Sequence, residues 1–444
     1  MQVTDRLFDH PESPIPPGAD CGLIETADRV RLRWATFRSE RRPHRGTVLL
    51  LQGRAEYVER WFETIRDLQA RGFDVATFDW RGQGGSERPL RDARKGHVAD
   101  FRRYGLDLDA VLARVLPTLP GPYWLLAHST GGLVAITAEK RIRDVFGRAV
   151  LAAPFLGLGD FGLPEPAIRV LTRFFRDIGF GRAWIPGGGA TAAHTRPLAG
   201  NRLTSDPIRH ARGADFAWRH PDLAIGSPTL GWVAAAFAAF DRAFAESTLT
   251  DWRMPTLMVV GSADRVVSIR AIERFAATTR STDLAIVPGA RHELLSERDR
   301  YREPFWAAFD AFVPGGATAA TTPTDGLDDT APGGGPDDTA GPGAAPAIPL
   351  PAATDPSTAA TSGEGEQAEH LVVQAAVAAG DDPTTLGGTA AGPGGDDAAR
   401  PLDDRDQRHD VVGLQPGLDH QIDEAGGDHA VGVTVDPVAR QPHP

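Results

Sequence analysis

Tyr123-Trp124-Leu125-Leu126-Ala127-His128-Ser129-Thr130-Gly131-Gly132 reads as a buried strand that runs into a sharp turn and then feeds a helix. Tyr123 to Ala127 is a short apolar run of strand length, and the spacing from Gly131 to Arg143 predicts the helix. A serine between the two, with small residues around it, fits the nucleophile-elbow pattern G-x-S-x-G. Ala127 stands where the pattern has its first glycine, and alanine is still small enough for a turn in which backbones crowd one another. Such an elbow lifts the Ser129 hydroxyl out at the end of the strand. It also aims the partly positive N-terminus of the helix at a reacting carbonyl.

The same rhythm extends to both sides. Val30 to Phe37 reads as an early strand in a hairpin with residues 20–27, and Thr47 to Leu51 as a buried strand ending at Gln52-Gly53. A helix is expected over Arg60–Arg71, a strand over Asp74–Phe78, a helix over Asp100–Leu116 and a strand over Ala149–Ala153. Short apolar runs alternating with amphipathic stretches predict an α/β fold with a mostly parallel central sheet. From Leu156 to Thr248 the strands stop. Two helical patches stand out, Ile168–Ile178 and the apolar Leu230–Phe244, and predict an inserted helical cap. Alternation resumes with a strand at Thr256–Val260, a helix at Ile269–Thr279, a strand at Leu284–Val287 and a last helix at Arg300–Phe312. The expected organisation is a core over 1–155 and 249–313, a cap over 156–248 and a tail over 314–444.

Composition sets the tail apart. No Phe, Trp or Tyr follows Phe312 in the 444 residues. Residues 314–444 carry 22 acidic and 4 basic side chains, a net of −18 against −12 for the whole chain, which leaves +6 on residues 1–313. A stretch rich in Ala, Gly, Pro, Thr and Asp cannot bury enough apolar surface to offset its ordering entropy, so it reads as a disordered tail. The modest positive charge of the rest, with dispersed arginines, argues against nucleic-acid binding. The single cysteine, Cys21, excludes an intrachain disulfide. With no signal-peptide pattern and no long apolar run, the expected location is cytoplasmic.

A serine hydroxyl needs a base within hydrogen-bond reach. Two further residues follow predicted strands: Asp264, in Gly261-Ser262-Ala263-Asp264, and His292, in Pro288-Gly289-Ala290-Arg291-His292. Open parallel sheets place their ligands at strand C-terminal ends, and the chain order serine, acid, histidine suits an elbow serine. Ser129 is therefore the expected nucleophile, His292 the base and Asp264 the acid that orients it. The oxyanion of a tetrahedral intermediate needs backbone donors, for which the N–H groups of Thr130 and Arg54 are the candidates. No metal or cofactor is expected. His128 and His97 read as packing residues, and His194, His210 and His220 lack metal-ligand spacing.

These residues resemble the monoacylglycerol lipase and lysophospholipase branch of the α/β-hydrolases. Gln52-Gly53-Arg54-Ala55-Glu56-Tyr57 is similar to that family's H-G-x-x-E-[HY] loop, with Gln52 in place of the histidine. Asp79-Trp80-Arg81-Gly82-Gln83-Gly84-Gly85-Ser86 resembles its D-x-R-G-x-G-x-S turn, Gly96 to Phe101 its G-H-x-x-x-F segment, and His292 to Glu297 its H-E-x-x-x-E end. Leu203 to Pro207 and Pro228 to Trp232 look like the cap of bacterial lysophospholipase-type members. The resemblance spans roughly residues 20–312. It implies an α/β-hydrolase fold and hydrolysis of a single-acyl carboxylic ester on glycerol or a lysophospholipid head. It leaves open a short-chain esterase, thioesterase or aminopeptidase-like hydrolase and, in another class, a non-catalytic binding protein on this fold. The cap's apolar helices are expected to line an acyl pocket or pack on the core. Arg169, Arg173 and Arg176 form a solvated face or one that meets anionic lipid, which would bring the enzyme to the inner face of the membrane.

Overall fold

The computed structural model describes residues 3–314. Apart from Pro314, the acidic tail read from the sequence lies outside the described residues. The strands are β1 (Ala19–Glu25), β2 (Arg31–Phe37), β3 (Thr47–Leu51), β4 (Asp74–Phe78), β5 (Tyr123–His128), β6 (Ala149–Ala152), β7 (Thr256–Gly261) and β8 (Thr282–Val287). They form one eight-stranded sheet in the order β1-β2-β4-β3-β5-β6-β7-β8. The β1–β2 and β2–β4 pairs are antiparallel, and every later neighbour is parallel. This is the α/β-hydrolase architecture.

The central strands β3, β4, β6 and β7 are buried along their whole length and mostly apolar, because helices cover both faces of the sheet. Side chains alternate between those faces. Leu49, Leu51, Leu125, Ala127, Leu151, Met258 and Val260 meet α2 (Arg102–Arg114), α3 (Thr130–Thr137), α4 (Glu139–Ile142) and, later in the chain, α9 (Ile269–Thr278). Val48, Leu50, Trp124, Leu126, Val150, Leu257 and Val259 meet α1 (Phe62–Ala70) and α10 (Asp299–Phe312). The single helix expected over 131–143 is in fact two, because Ala138 leaves helical geometry (φ −104°, ψ 17°).

Between β6 and β7 lie α5 (Glu165–Asp177), α6 (Pro207–Arg219), α7 (Leu230–Ala243) and α8 (Glu246–Asp251), with no strand among them. α7 buries its apolar residues in the core layer that also contains α2 and α3. α5 departs from the expectation of an inward apolar face. Its Arg169 bonds Asp241 of α7 and lies over the Phe237 ring, and Thr172 is buried. The side turned to solvent carries Val170, Leu171, Phe174 and Phe175, and Ile178 beyond the helix end, with Val170 67% and Phe174 55% exposed.

Candidate active site

Ser129 follows β5 and stands at the N-cap of α3 with φ 49° and ψ −112°, a region that L-residues seldom occupy. The surroundings hold it there. Its N–H donates to Ala152 O at 3.0 Å, and its carbonyl accepts from Phe155 N at 3.0 Å. A Cβ on Gly131 would stand 2.6 Å from Leu51 O, and one on Gly132 would stand 2.8 Å from the Pro154 side chain. The glycines after the serine are thus required for the helix to begin hard against the β3 loop and the segment after β6. Ala127, in the place of the pattern's first glycine, is buried and is not among the residues with positive φ.

Loops after β7 and β8 bring the other two expected residues to the serine. His292 Nε2 lies 3.1 Å from Ser129 Oγ, and His292 Nδ1 lies 2.7 Å from Asp264 Oδ2. Asp264 Oδ1 accepts from the N–H groups of Val266 (2.7 Å) and Val267 (3.1 Å). Burial works against the charge on Asp264, but His292 and these two amides outweigh it and hold the carboxyl below its ordinary value. All three side chains are buried. A hydroxyl, an imidazole and an anchored carboxylate in this order can move a proton off the serine as it attacks a carbonyl.

Thr130 opens α3, and Arg54 follows Gly53 on the loop after β3. Among the described residues neither N–H donates to a protein acceptor. A Cβ on Gly53 would lie 2.9 Å from His128 Nδ1, so the loop approaches the elbow as closely as a glycine allows. Gln83, in the turn after β4, clamps this loop. Its Nε2 donates to Gly53 O (2.8 Å) and Glu56 O (2.9 Å), and its Oε1 accepts from Ala55 N (3.1 Å). The sequence reading took Asp79–Ser86 only as a turn resembling the family's and gave Gln83 no role. The signal was there: a polar residue within the glycine-rich turn.

A buried charge cluster underlies the site. His128 Nδ1 stands 2.7 Å from Glu56 Oε1, off the line of a good hydrogen bond but close enough for an ion pair. Burial alone would lower the His128 pKa, yet Glu56 raises it above the ordinary value. Glu293, next to the histidine, accepts from Arg60 (2.9 Å) and pairs with His194 (3.0 Å) of the inserted segment. His97 Nδ1 lies 2.7 Å from Thr229 Oγ1. His128, His97 and His194 thus join separate loops, which their sequence positions alone did not reveal. Among the described residues no group of three or more His, Cys, Asp or Glu side chains is set to hold a metal ion.

Fold and site together define the class: an α/β-hydrolase with a serine, histidine and carboxylate aligned at the strand ends. Residues 42–299 match the family model described as serine aminopeptidase, S33. The chain is 31% identical to lysophospholipase L2 of Escherichia coli (strain K12) over 294 residues, which cover 62% of this chain and 82% of the relative. It is 29% identical over 273 residues to a probable lysophospholipase L2 of Haemophilus influenzae, covering 61% and 84%. A soluble variant of the Saccharomyces cerevisiae monoglyceride lipase has the same fold, with TM-score 0.54 and 16% identity over 67% of this chain and 97% of that one. The chain belongs to the serine aminopeptidase S33 family of α/β-hydrolases and is related to lysophospholipase L2.

Proposed function

We propose that this hydrolase cleaves a carboxylic ester lipid bearing one acyl chain, a lysophospholipid or a monoacylglycerol, through an acyl-enzyme. The observation that carries the reading is the continuous line from Ser129 Oγ through His292 to Asp264. His292 Nε2 takes the hydroxyl proton as Oγ attacks the ester carbonyl, and the Thr130 and Arg54 N–H groups receive the oxyanion. The imidazolium then gives its proton to the leaving alcohol oxygen, and the acyl group stays on Ser129. Water, deprotonated by the same nitrogen, attacks that ester and releases the fatty acid. Asp264 stays ionised throughout and stabilises the imidazolium.

The single-acyl reading draws support from the relatives named lysophospholipase L2. It also draws on the aromatic wall beside the serine. Phe155, whose N–H bonds Ser129 O, stacks on Trp232 of α7 (5.9 Å) and meets Phe240 edge-on (4.9 Å). The outward apolar side of α5 suits contact with a lipid aggregate. No helix among the described residues is long and apolar enough to cross a membrane. A second reading, an aminopeptidase-like amide hydrolase, follows from the description of the family model.

The test is a panel of monoacylglycerol, lysophosphatidylcholine, lysophosphatidylethanolamine, short p-nitrophenyl esters and aminoacyl amides. Each is assayed with the wild type and with Ser129→Ala. Serine-dependent release of fatty acid from the long-chain lipids is expected. Turnover confined to short esters or to amides would discard the lipid assignment while keeping the mechanism.

A further inference from the structure

Most arginines in the interior answer to carboxylates. Arg33 is held by Glu59 (2.7 Å) and Asp79 (2.6 Å), and Arg81 by Asp28 and Asp107 (2.6 Å each). Arg60 has Glu293, and Arg302 has Glu63 and Asp67. Arg88 makes no ion pair among the described residues, but its guanidinium meets the carbonyls of Gly82, Gly84, Asp222 and Leu223.

Arg54 has neither arrangement. Among the described residues it makes one side-chain hydrogen bond, from Nη2 to Gly226 O at 2.6 Å, and its buried Nε has no partner. The guanidinium lies 5.4 Å over the Trp232 ring. Burial pushes its pKa down to about 10, which leaves it charged at neutral pH, and among the described residues the Tyr104 phenol is the only ionisable neighbour that acts on it. An unpaired charge in such a setting is costly unless something compensates it.

The seat itself is built. A Cβ on Gly96 would stand 2.4 Å from Arg54 Nη2, so glycine at that position leaves the space that the fork occupies. Gly96 pairs with Pro228, and Gly226 N donates to Arg94 O, so the segments before α2 and before α7 close around the guanidinium. The seat adjoins the reaction centre, since Arg54 is on the oxyanion loop and shares Trp232 with Phe155, which bonds Ser129 O.

We propose that the Arg54 side chain is a subsite for a phosphate group, that of the substrate's head, held while the ester lies at Ser129. A planar fork with free N–H groups matches phosphate oxygens, and the neutral surroundings strengthen the attraction. The subsite rests on the single-acyl ester reading, to which it adds the means of telling a phosphate-bearing head from a bare glycerol.

The experiment uses the full chain as wild type, Arg54→Gln and Arg54→Lys. One arm measures kcat and KM on 1-oleoyl-lysophosphatidylglycerol and 1-oleoylglycerol in the same non-ionic mixed micelles. The other follows the thermal midpoint while sn-glycerol 3-phosphate or inorganic phosphate is titrated in. The expected result is that Arg54→Gln lowers the phosphate-to-neutral ratio of kcat/KM at least about tenfold, chiefly through KM. Arg54→Lys should restore part of it, and the midpoint rise with glycerol 3-phosphate should vanish in Arg54→Gln. If Arg54→Gln does not fold, Gly96→Ala, which crowds Nη2, should lower the same ratio. A ratio that stays the same in Arg54→Gln, with both lipids falling together, overturns the subsite and leaves the side chain as a support of the loop. Arg54-dependent stabilisation by free phosphate with an unchanged lipid ratio overturns the head-group assignment. If the wild type cleaves neither lipid, the single-acyl reading fails by itself. The titration still decides the anion site, with a midpoint rise that needs Arg54 supporting it and one indifferent to Arg54 overturning it.

Discussion

Helices α5 and α7 lie in the same segment between β6 and β7, pack against each other and carry five large apolar residues each, alanines aside, yet they use them in opposite ways. α7 buries Trp232, Phe237 and Phe240 in the layer that reaches the serine. α5 pairs Arg169 with Asp241 of α7, buries Thr172 and leaves Val170, Leu171 and Phe174 to solvent. The lesson is that amphipathicity gives the period of a helix and not the direction of its apolar side. On a soluble monomer an outward apolar stripe costs solubility and marks an interaction surface. The proposed division is that α7 shapes the site and α5 meets the lipid aggregate.

The largest effect sets the floor for that comparison. Ser129→Ala should lower kcat on every substrate by roughly 10⁴-fold or more, with the thermal midpoint nearly unchanged. Residual hydrolysis near the wild-type rate would remove the reason to treat either helix as part of an active site. Next comes α7. Trp232→Ala should cost about 3–5 kcal/mol of stability, because the indole is buried, bonds Tyr104 OH and stacks on Phe155. Chemical denaturation would measure it, and a loss below ~1 kcal/mol would show that α7 does not wall the site.

A smaller effect concerns how the insertion is fastened. Glu63 of α1 accepts from Arg209 (2.6 Å) and Arg212 of α6 and pairs with Arg302 (3.1 Å) of α10. Burial disfavours its charge, but Arg209, Arg302 and Arg212 outweigh that and hold the carboxyl at about 2, against 4.5 ordinarily. A pKa depressed in the folded state means that the stabilisation is complete above pH 4.5 and is lost as pH falls from there toward 2. The contribution is roughly 2–3 kcal/mol at neutral pH. Glu63→Gln should remove most of it and flatten the acid limb of the stability curve, which urea titrations at pH 3 and pH 7 would reveal. An equal loss at both pH values would discard the ionic explanation.

The smallest stability change belongs to α5. The double variant Val170→Ser, Phe174→Ser should shift folding stability by no more than about 0.5–1 kcal/mol, since both side chains are exposed. Hydrolysis of a monomeric short ester should stay as it was, while hydrolysis of micellar or vesicle-bound lipid should fall several-fold. An equal rate on both presentations would break the contrast between the helices.

Several boundaries were legible before any coordinates. Thr47–Leu51 and Asp74–Phe78 are strands at the residues expected, because a strand covered on both faces reads as a mostly apolar run that stops where turn residues begin. α6 was not singled out, although Asp206-Pro207 announces it. The Asp206 side chain accepts from Ile208 N and Arg209 N at 2.8 Å each, and proline suits the first helical position. Ser129, Asp264 and His292 could be picked out from order and context, because each follows its own strand in the chain.

What the sequence determined by itself was therefore local and periodic: the strands, most of the helices, the elbow glycines and the order of the three residues that meet at the strand ends. The tertiary structure alone decided which side of α5 faces outward, which arginines find carboxylates and that Arg54 finds none among the described residues. Those outcomes depend on partners such as Asp241, Gly226 and Trp232, which stand 72, 172 and 178 positions away. No period along the chain encodes a contact at that separation, because it exists only once the sheet has closed and the insertion has docked upon it.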